Sequence, residues 1–320
     1  MNTTNQTSSI SKRRMEFMNR SLATIAVETS ILLLIALIAI GGNLLVVISI
    51  YRNRSLRTIT NYFVLSLAMT DILFPTLSLP LSLYWSIQDR FTSTPGTCEF
   101  QAVLNTSLVW VSVSNLLFMA INRFVRVCKP QKYKKVFSRN KALIMIVVIW
   151  VGSFFSSALY LKGGLELVRA RFNPSNIACR YVYQATNVIS MIITNITICL
   201  ALFLPCATIF YCYLKVFMKI REHKKNIAPA SNPNSLGTSI QEIKVTWTVF
   251  SVLIGYLLTW IPALLLALTI NLFFERVKVP RQVRMITIYS ASSSCAINPV
   301  IYGLMNPGFR QECKKIFKLM

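Results

Sequence analysis

The chain has 320 residues, 54% of them hydrophobic and only 14% charged, with a mean hydropathy of +0.54. That balance excludes an ordinary soluble domain and a disordered segment. A net charge of +24 would point to nucleic acid in a soluble protein, but here the basic residues flank apolar runs, so no nucleic-acid partner is expected.

Seven apolar stretches of about 20 residues recur, each long enough for a ~30 Å hydrocarbon layer. They are placed at 27–50, 62–85, 99–125, 141–161, 185–214, 245–271 and 285–305. The expected fold is an all-α membrane protein, a seven-transmembrane helix bundle with a short amphipathic C-terminal helix. Its expected parts are an N-terminal tail over 1–26, the helical domain over 27–305 and the amphipathic helix over 306–320. Most Lys and Arg lie in loops that are cytoplasmic if the tail is outside. This predicts a multi-pass plasma-membrane protein with an extracellular N-terminus, its basic inner loops facing anionic membrane lipids. The polar tail contains no evident cleavable signal, so the first span is expected to direct insertion. Acceptor sequons for glycosylation begin at Asn2, Asn5 and Asn19.

In chain order, the first span carries Asn43. The second carries Asp71, the one carboxylate expected at mid-membrane. A bare charge there costs about 2.5–3.5 kcal/mol, so it needs a partner or a proton. The third span leads from Cys98 to Asn122-Arg123, 25 residues that make roughly 37 Å of helix. Arg123 is either a cation reaching toward interfacial water or one half of an ion pair with Glu242 at the base of the sixth span. Six of the eight cysteines fall in spans or inside, whereas Cys98 and Cys179 fall at the outer, oxidising face.

Between the fifth and sixth spans, Asn226–Thr238 has the composition of a disordered linker. Pro262 and Pro299 each remove a backbone hydrogen bond from a helix and create a hinge. Trp260, just before Pro262, reads as a packed aromatic anchor or as the floor of a pocket. Asn306-Pro307-Gly308 is expected to break the helix, and Phe309–Leu319 mixes basic and apolar residues as a helix on the inner leaflet would. Cys313 within it is either a palmitoylation site or an unmodified thiol.

The outer loops hold Lys162, Arg169, Arg171, Arg180, Arg276, Lys278, Arg281 and Arg284 against only Glu166 and Glu275. This reads as a mouth that attracts acidic ligands or as ordinary solvated charge. No enzyme is expected, since the lone His223 lies in an inner loop and Asp71 has no second acid beside it. The alternative of a transporter or channel lacks two related halves or a polar pore stripe.

Gly42-Asn43, Leu67-Ala68 with Asp71, Cys98, Asn122-Arg123-Phe124, Trp150, Cys179, Pro205 with Tyr213, Trp260-Ile261-Pro262, and Asn298-Pro299 with Tyr302 follow one another in separate spans or loops. Taken as an ordered set they resemble the class A (rhodopsin-like) G protein-coupled receptors over nearly the whole chain. Asn122-Arg123-Phe124 and Phe172-Asn173-Pro174 are similar to the melatonin receptor group, from which Pro299 and Tyr160 depart.

The resemblance implies a receptor that passes binding of an extracellular ligand to a heterotrimeric G protein by outward motion of the sixth helix. It implies a Cys98–Cys179 disulfide and an Arg123–Glu242 switch beside Asn122. It also implies inner tyrosines, Tyr213 and Tyr302, that steady the open state, and a network of Ser112, Ser294 and Asn298 around Asp71. That network holds either water or a sodium ion, with no other cofactor expected; Cys295 departs from the serine common there. The implied pocket is Asn105, Val109, Tyr181 and Trp260, with Arg180 and Arg284 pointing inward. Asn105 stands where amine receptors carry Asp, and Ser292 where opsins carry the retinal lysine, which disfavours both ligand types. A melatonin-like molecule, an acidic small molecule and a peptide remain open.

Overall fold

Helix α1 (Leu22–Arg52) begins at Ser21, whose hydroxyl accepts from the Thr24 amide at 3.2 Å. Helix α2 (Ile59–Leu73) is capped in the same way by Thr58. It does not end at Leu73, because a π turn over Phe74–Ser78, containing Pro75, carries it into α3 (Leu79–Gln88) as one span. Helix α4 (Pro95–Cys128) is capped by Thr94, with Pro95 in its first turn. Such caps satisfy amides that the helix itself leaves unpaired. The computed structural model describes residues 14–88, 94–162, 168–183, 196, 204–227, 233–272 and 279–319.

Short α5 (Pro130–Val136) is followed by α6 (Arg139–Lys162), by an antiparallel hairpin of β1 (Val168–Asn173) and β2 (Ala178–Tyr183), and by α7 (Leu204–Ile227). Then come α8 (Pro233–Leu272), α9 (Arg281–Met305) and α10 (Pro307–Leu319). Among the described residues, Leu22–Arg52, Ile59–Gln88, Pro95–Cys128, Arg139–Leu159 and Lys244–Ala263 are each long and apolar enough to cross a membrane. Helices α7 and α9 occupy the other two expected places. The first is described only from Leu204 onward, and the second is diluted by Ser290, Ser292, Ser293, Ser294 and Asn298.

The structure differs from expectation at three points. The hairpin adds a small sheet to the all-α plan. Helix α8 starts at Pro233, inside the stretch expected to be disordered, because proline suits the first helical turn and the residues after it continue the helix. The expected helix break falls at Asn306, which caps α9 and whose side chain accepts from the Gly308 amide at 3.1 Å, and Pro307 opens α10. The expected tail boundary at residue 26 falls inside α1.

One buried cluster runs the length of the bundle through Phe63, Val111, Met119 and Val252. Leu33, Leu37, Val147, Val151 and Phe155 stay exposed on α1 and α6, the surface that a hydrocarbon layer covers. Helices α1 and α9 meet at Gly42, where an added Cβ would lie 2.8 Å from the Pro299 ring. Next to it, buried Asn43 donates to the Ala39 and Cys295 carbonyls at 2.8 and 2.9 Å. Gly42-Asn43 is therefore a close-contact seam between the first and last spans.

Candidate functional site

At one end of the bundle Cys98 and Cys179 are joined by a disulfide, their Cα atoms 5.2 Å apart. Fully buried Gln101, one turn along α4 from Cys98, accepts from the Cys179 amide at 2.6 Å and donates to the Ser78 carbonyl and Ser82 hydroxyl. It locks β2 against α4 and the bent second span. Tyr181 donates to the Ser157 carbonyl at 2.7 Å, which ties the hairpin to α6.

The two arginines expected to face inward are both held by local acceptors. Arg180 keeps solvent contact but is enclosed by the surrounding segments, a burial that lowers its pKa, and with the Asn176 amide turned to accept, its guanidinium bonds Asn176 within the hairpin at 3.0 and 3.1 Å. Arg284 donates to the Val279 carbonyl at 2.8 Å and to the Ser175 hydroxyl at 3.1 Å, so it staples the hairpin turn to the start of α9. Both are drawn off by nearby acceptors that sequence spacing did not reveal. Glu166, Glu275, Arg276 and Lys278 lie outside the described residues.

Deeper in the bundle, Asn105 and Val109 follow on the same helix, half-buried, and Trp260 packs with Val109 against the main cluster. The Trp260 ring stacks on Tyr256 at 5.7 Å. The carbonyl oxygen of Asn105, the indole N–H of Trp260 and the hydroxyl of Tyr256 are buried without a hydrogen-bond partner among the described residues. Ser290 of α9 donates to the Thr259 carbonyl at 2.8 Å, joining α9 to α8 just before Pro262.

Asp71 is buried and accepts from Asn298 at 2.8 Å. The other two expected partners use their hydroxyls elsewhere. Ser112 pairs with Thr70 at 3.0 Å, and Ser294 donates to the Ala291 carbonyl of its own helix at 2.7 Å.

At the opposite end from the disulfide, Arg123 is buried and donates to the Thr60 hydroxyl. Thr60 in turn donates to the Asn122 carbonyl oxygen at 2.9 Å, and Asn122 donates to the Tyr133 hydroxyl at 3.3 Å. Thr60 thus links Arg123 to Asn122 and Tyr133 through a chain of neutral groups. Thr60 and Tyr133 were missed in the sequence because neither lies beside Arg123 in the chain. Glu242 is part of α8, but its side chain lies outside the described residues.

Tyr213 packs against Phe250 at 5.1 Å, and Tyr302 stacks on Phe309 of α10 at 5.6 Å. Both hydroxyls are buried and have no hydrogen-bond partner among the described residues. Cys313 faces inward, 4.0 Å from the Ser49 hydroxyl, and lines an apolar cavity of about 190 Å³ between α1, α9 and α10. Glu312 accepts from Lys315 at 2.8 Å and Asn53 at 3.1 Å, and its bond with the Lys315 ammonium holds the carboxyl below its usual range. Of the sequons, Asn19 is exposed, while Asn2 and Asn5 lie outside the described residues.

Residues 42–302 match the family described as 7 transmembrane receptor (rhodopsin family). The chain is 28% identical to the melatonin receptor type 1A of Gallus gallus over 308 residues, which are 96% of this chain and 82% of that one. It is 27% identical to melanopsin-B of Xenopus laevis over 290 residues, 89% of this chain and 54% of that one. Squid rhodopsin shares the fold, with a TM-score of 0.80 at 22% identity over 92% of this chain and 81% of that one. Neither fold nor relatives support a transporter or channel. A disulfide-pinned end, a buried carboxylate at mid-bundle and a sequestered arginine at the other end occur within that family match, and the chain belongs to the rhodopsin family of seven-transmembrane receptors, which signal through G proteins.

Proposed function

We propose that this receptor detects a small, neutral, aromatic ligand carrying both a hydrogen-bond donor and an acceptor. The observation that carries the reading is the pair of idle groups flanking an aromatic floor: the Asn105 oxygen needs a donor, and the Trp260 N–H needs an acceptor. Buried polar groups of this kind favour a ligand that completes them, by about 1–3 kcal/mol each. An acidic ligand fits less well, because Arg284 is engaged in stapling the hairpin turn to α9. The relatives named for melatonin supply the probe chemistry.

In this reading the disulfide end is extracellular, Asn2, Asn5 and Asn19 carry glycans, and the output is signalling and not catalysis. The segment before α1, the helices from α1 to α9 and residues 306–320 act as outer tail, signalling bundle and membrane-surface helix. Ligand contact at Trp260 biases the bend at Pro262, so α8 swings outward and Arg123 leaves Thr60 for the G protein. Glu242 restrains Arg123 in the closed form, and the idle Tyr213 and Tyr302 hydroxyls gain partners in the open one. The donors near Asp71 suit a hard monovalent cation, since the Asn298 oxygen is unpartnered and Ser112 and Ser294 keep oxygen lone pairs. A sodium ion bound there would supply the positive counter-charge that an ionised Asp71 needs.

The test is guanine nucleotide exchange on a purified G protein, comparing melatonin with indole-3-acetic acid, an acidic molecule built on the same ring system. The neutral indole should act at concentrations at least ~100-fold lower, and Asn105→Ala should weaken it about tenfold, the worth of one hydrogen bond. Equal potency of the acid, or an unchanged response in Asn105→Ala, would defeat the reading.

A further inference from the structure

Residues 14–20 do not trail away from the bundle. Positions 14–18 form a helical turn laid over the disulfide end. Phe17 is only 2% exposed and sits in a cluster with Trp85, the disulfide, Ile177 and Met285. It meets Phe172 edge-on at 5.7 Å, and Phe172 meets Trp85 at 5.4 Å. Three residues later, just past the end of that turn, Arg20 stacks over the Phe17 ring at 4.0 Å. Its guanidinium donates to the Glu28 carboxylate at 3.0 Å and to the hydroxyl and carbonyl of Ser86 at 3.1 and 2.9 Å. Glu28 is itself buried and binds Arg281 at the start of α9.

We propose that this end of the bundle is a built subsite for an aromatic ring and a guanidinium one helical turn apart, and that the chain's own residues 14–20 are its resident occupant. The apolar cluster of Trp85, Phe172, Ile177 and Met285 takes the ring, and Glu28 with Ser86 takes the cation. Glu28 cannot be an ordinary surface acid, because it is shared between cations from two separate segments. An exogenous peptide with the same aromatic and guanidinium spacing competes for the site. A segment tethered one residue before α1 has an effective concentration on the order of mM, so the intact chain resists such competition. The subsite adds a second, peptide-selective layer above the neutral-ligand pocket and does not depend on it.

The test uses the full chain purified in detergent micelles and a synthetic peptide of residues 14–20, acetylated, amidated and fluorescently labelled. In the Phe17→Ala/Arg20→Gln variant the peptide should bind saturably by anisotropy, at least ~10-fold tighter than to the unaltered chain. A peptide with its own Phe and Arg replaced by Ala should not bind. Equal binding to both proteins, or none to the variant, overturns the proposal. If the variant does not fold, a dye on Glu16→Cys in the otherwise intact chain serves instead. Millimolar unlabelled peptide should shift its emission toward that of a solvent-exposed dye, and no shift overturns the proposal. Neither readout involves a G protein or the pocket at Asn105, so it fails or succeeds separately from the receptor reading.

Discussion

Replacing Gly42 with Ala should destabilise the bundle, although the same change one residue earlier should stabilise it. A Cβ on Gly42 would lie 2.8 and 2.9 Å from two Pro299 ring carbons, whereas one on Gly41 meets nothing within 4 Å. The proline ring is rigid, so the relief must come from α1 and α9 separating by about 0.6 Å, the distance needed to reach ordinary contact. That strain costs about 1–3 kcal/mol. The same separation stretches the Asn43 bond to the Cys295 carbonyl from 2.9 Å to the edge of hydrogen bonding, a further loss of about 1 kcal/mol. Against this, Ala gains about 1 kcal/mol over Gly in helix propensity at either site. The net expectation is about 1–3 kcal/mol lost at Gly42 and about 1 kcal/mol gained at Gly41. The two variants should therefore melt about 5 °C or more apart, with the unaltered chain between them. Thermal denaturation of the three purified proteins in one detergent decides the matter. A Gly42→Ala protein melting at or above the unaltered chain would refute the argument.

Asn122→Asp should lower basal nucleotide exchange several-fold, because a carboxylate beside Arg123 replaces the neutral Thr60 relay with a charge-assisted bond. Thr60→Val should raise it, and exchange assays without ligand that show no change in either variant would remove the relay from the switch. If sodium occupies the Asp71 network, the unaltered receptor should melt higher in NaCl than in an equal concentration of choline chloride, and Asp71→Asn should abolish the difference. Equal melting of the unaltered receptor in both salts rules the ion out. Lys315 holds Glu312 below its usual value of 4.5, so its contribution is present above that value and is lost as pH falls through the lower folded value. The acid-side decline in melting temperature should flatten in Glu312→Gln, and an unaltered slope would show that α10 docks without this contact.

The spans were legible because the hydrocarbon layer demands length and apolarity, which local sequence displays directly. Their landmarks were legible for a related reason: Asn43, Asp71, Trp260 and Asn298 are polar or bulky groups at depths where lipid penalises them. What stayed hidden were partnerships made by folding. Gln101 in the third span gave no sign of binding Cys179, and Glu28 stood near a span end where a carboxylate can as easily face water. Arg180 and Arg284 were assigned inward by position, yet Asn176, Ser175 and the Val279 carbonyl capture them locally. Residues 14–20 read as a polar tail, since one phenylalanine among charged neighbours shows no periodicity. Its burial depends on a cluster assembled from four distant segments.

The π turn at Phe74–Ser78 fits one surplus residue into the second span, and everything beyond it is rotated accordingly. Ser78, Ser82, Trp85 and Ser86 reach Gln101, Phe172 and Arg20 only from that rotated position. Chain length between Leu73 and Leu79 is thus under tighter restraint than side-chain identity. Losing one residue there would swing the outer half of the helix by about 100° and aim these four residues toward lipid, while leaving hydropathy nearly untouched. Drift by substitution is tolerable in this stretch, and drift by insertion or deletion is not.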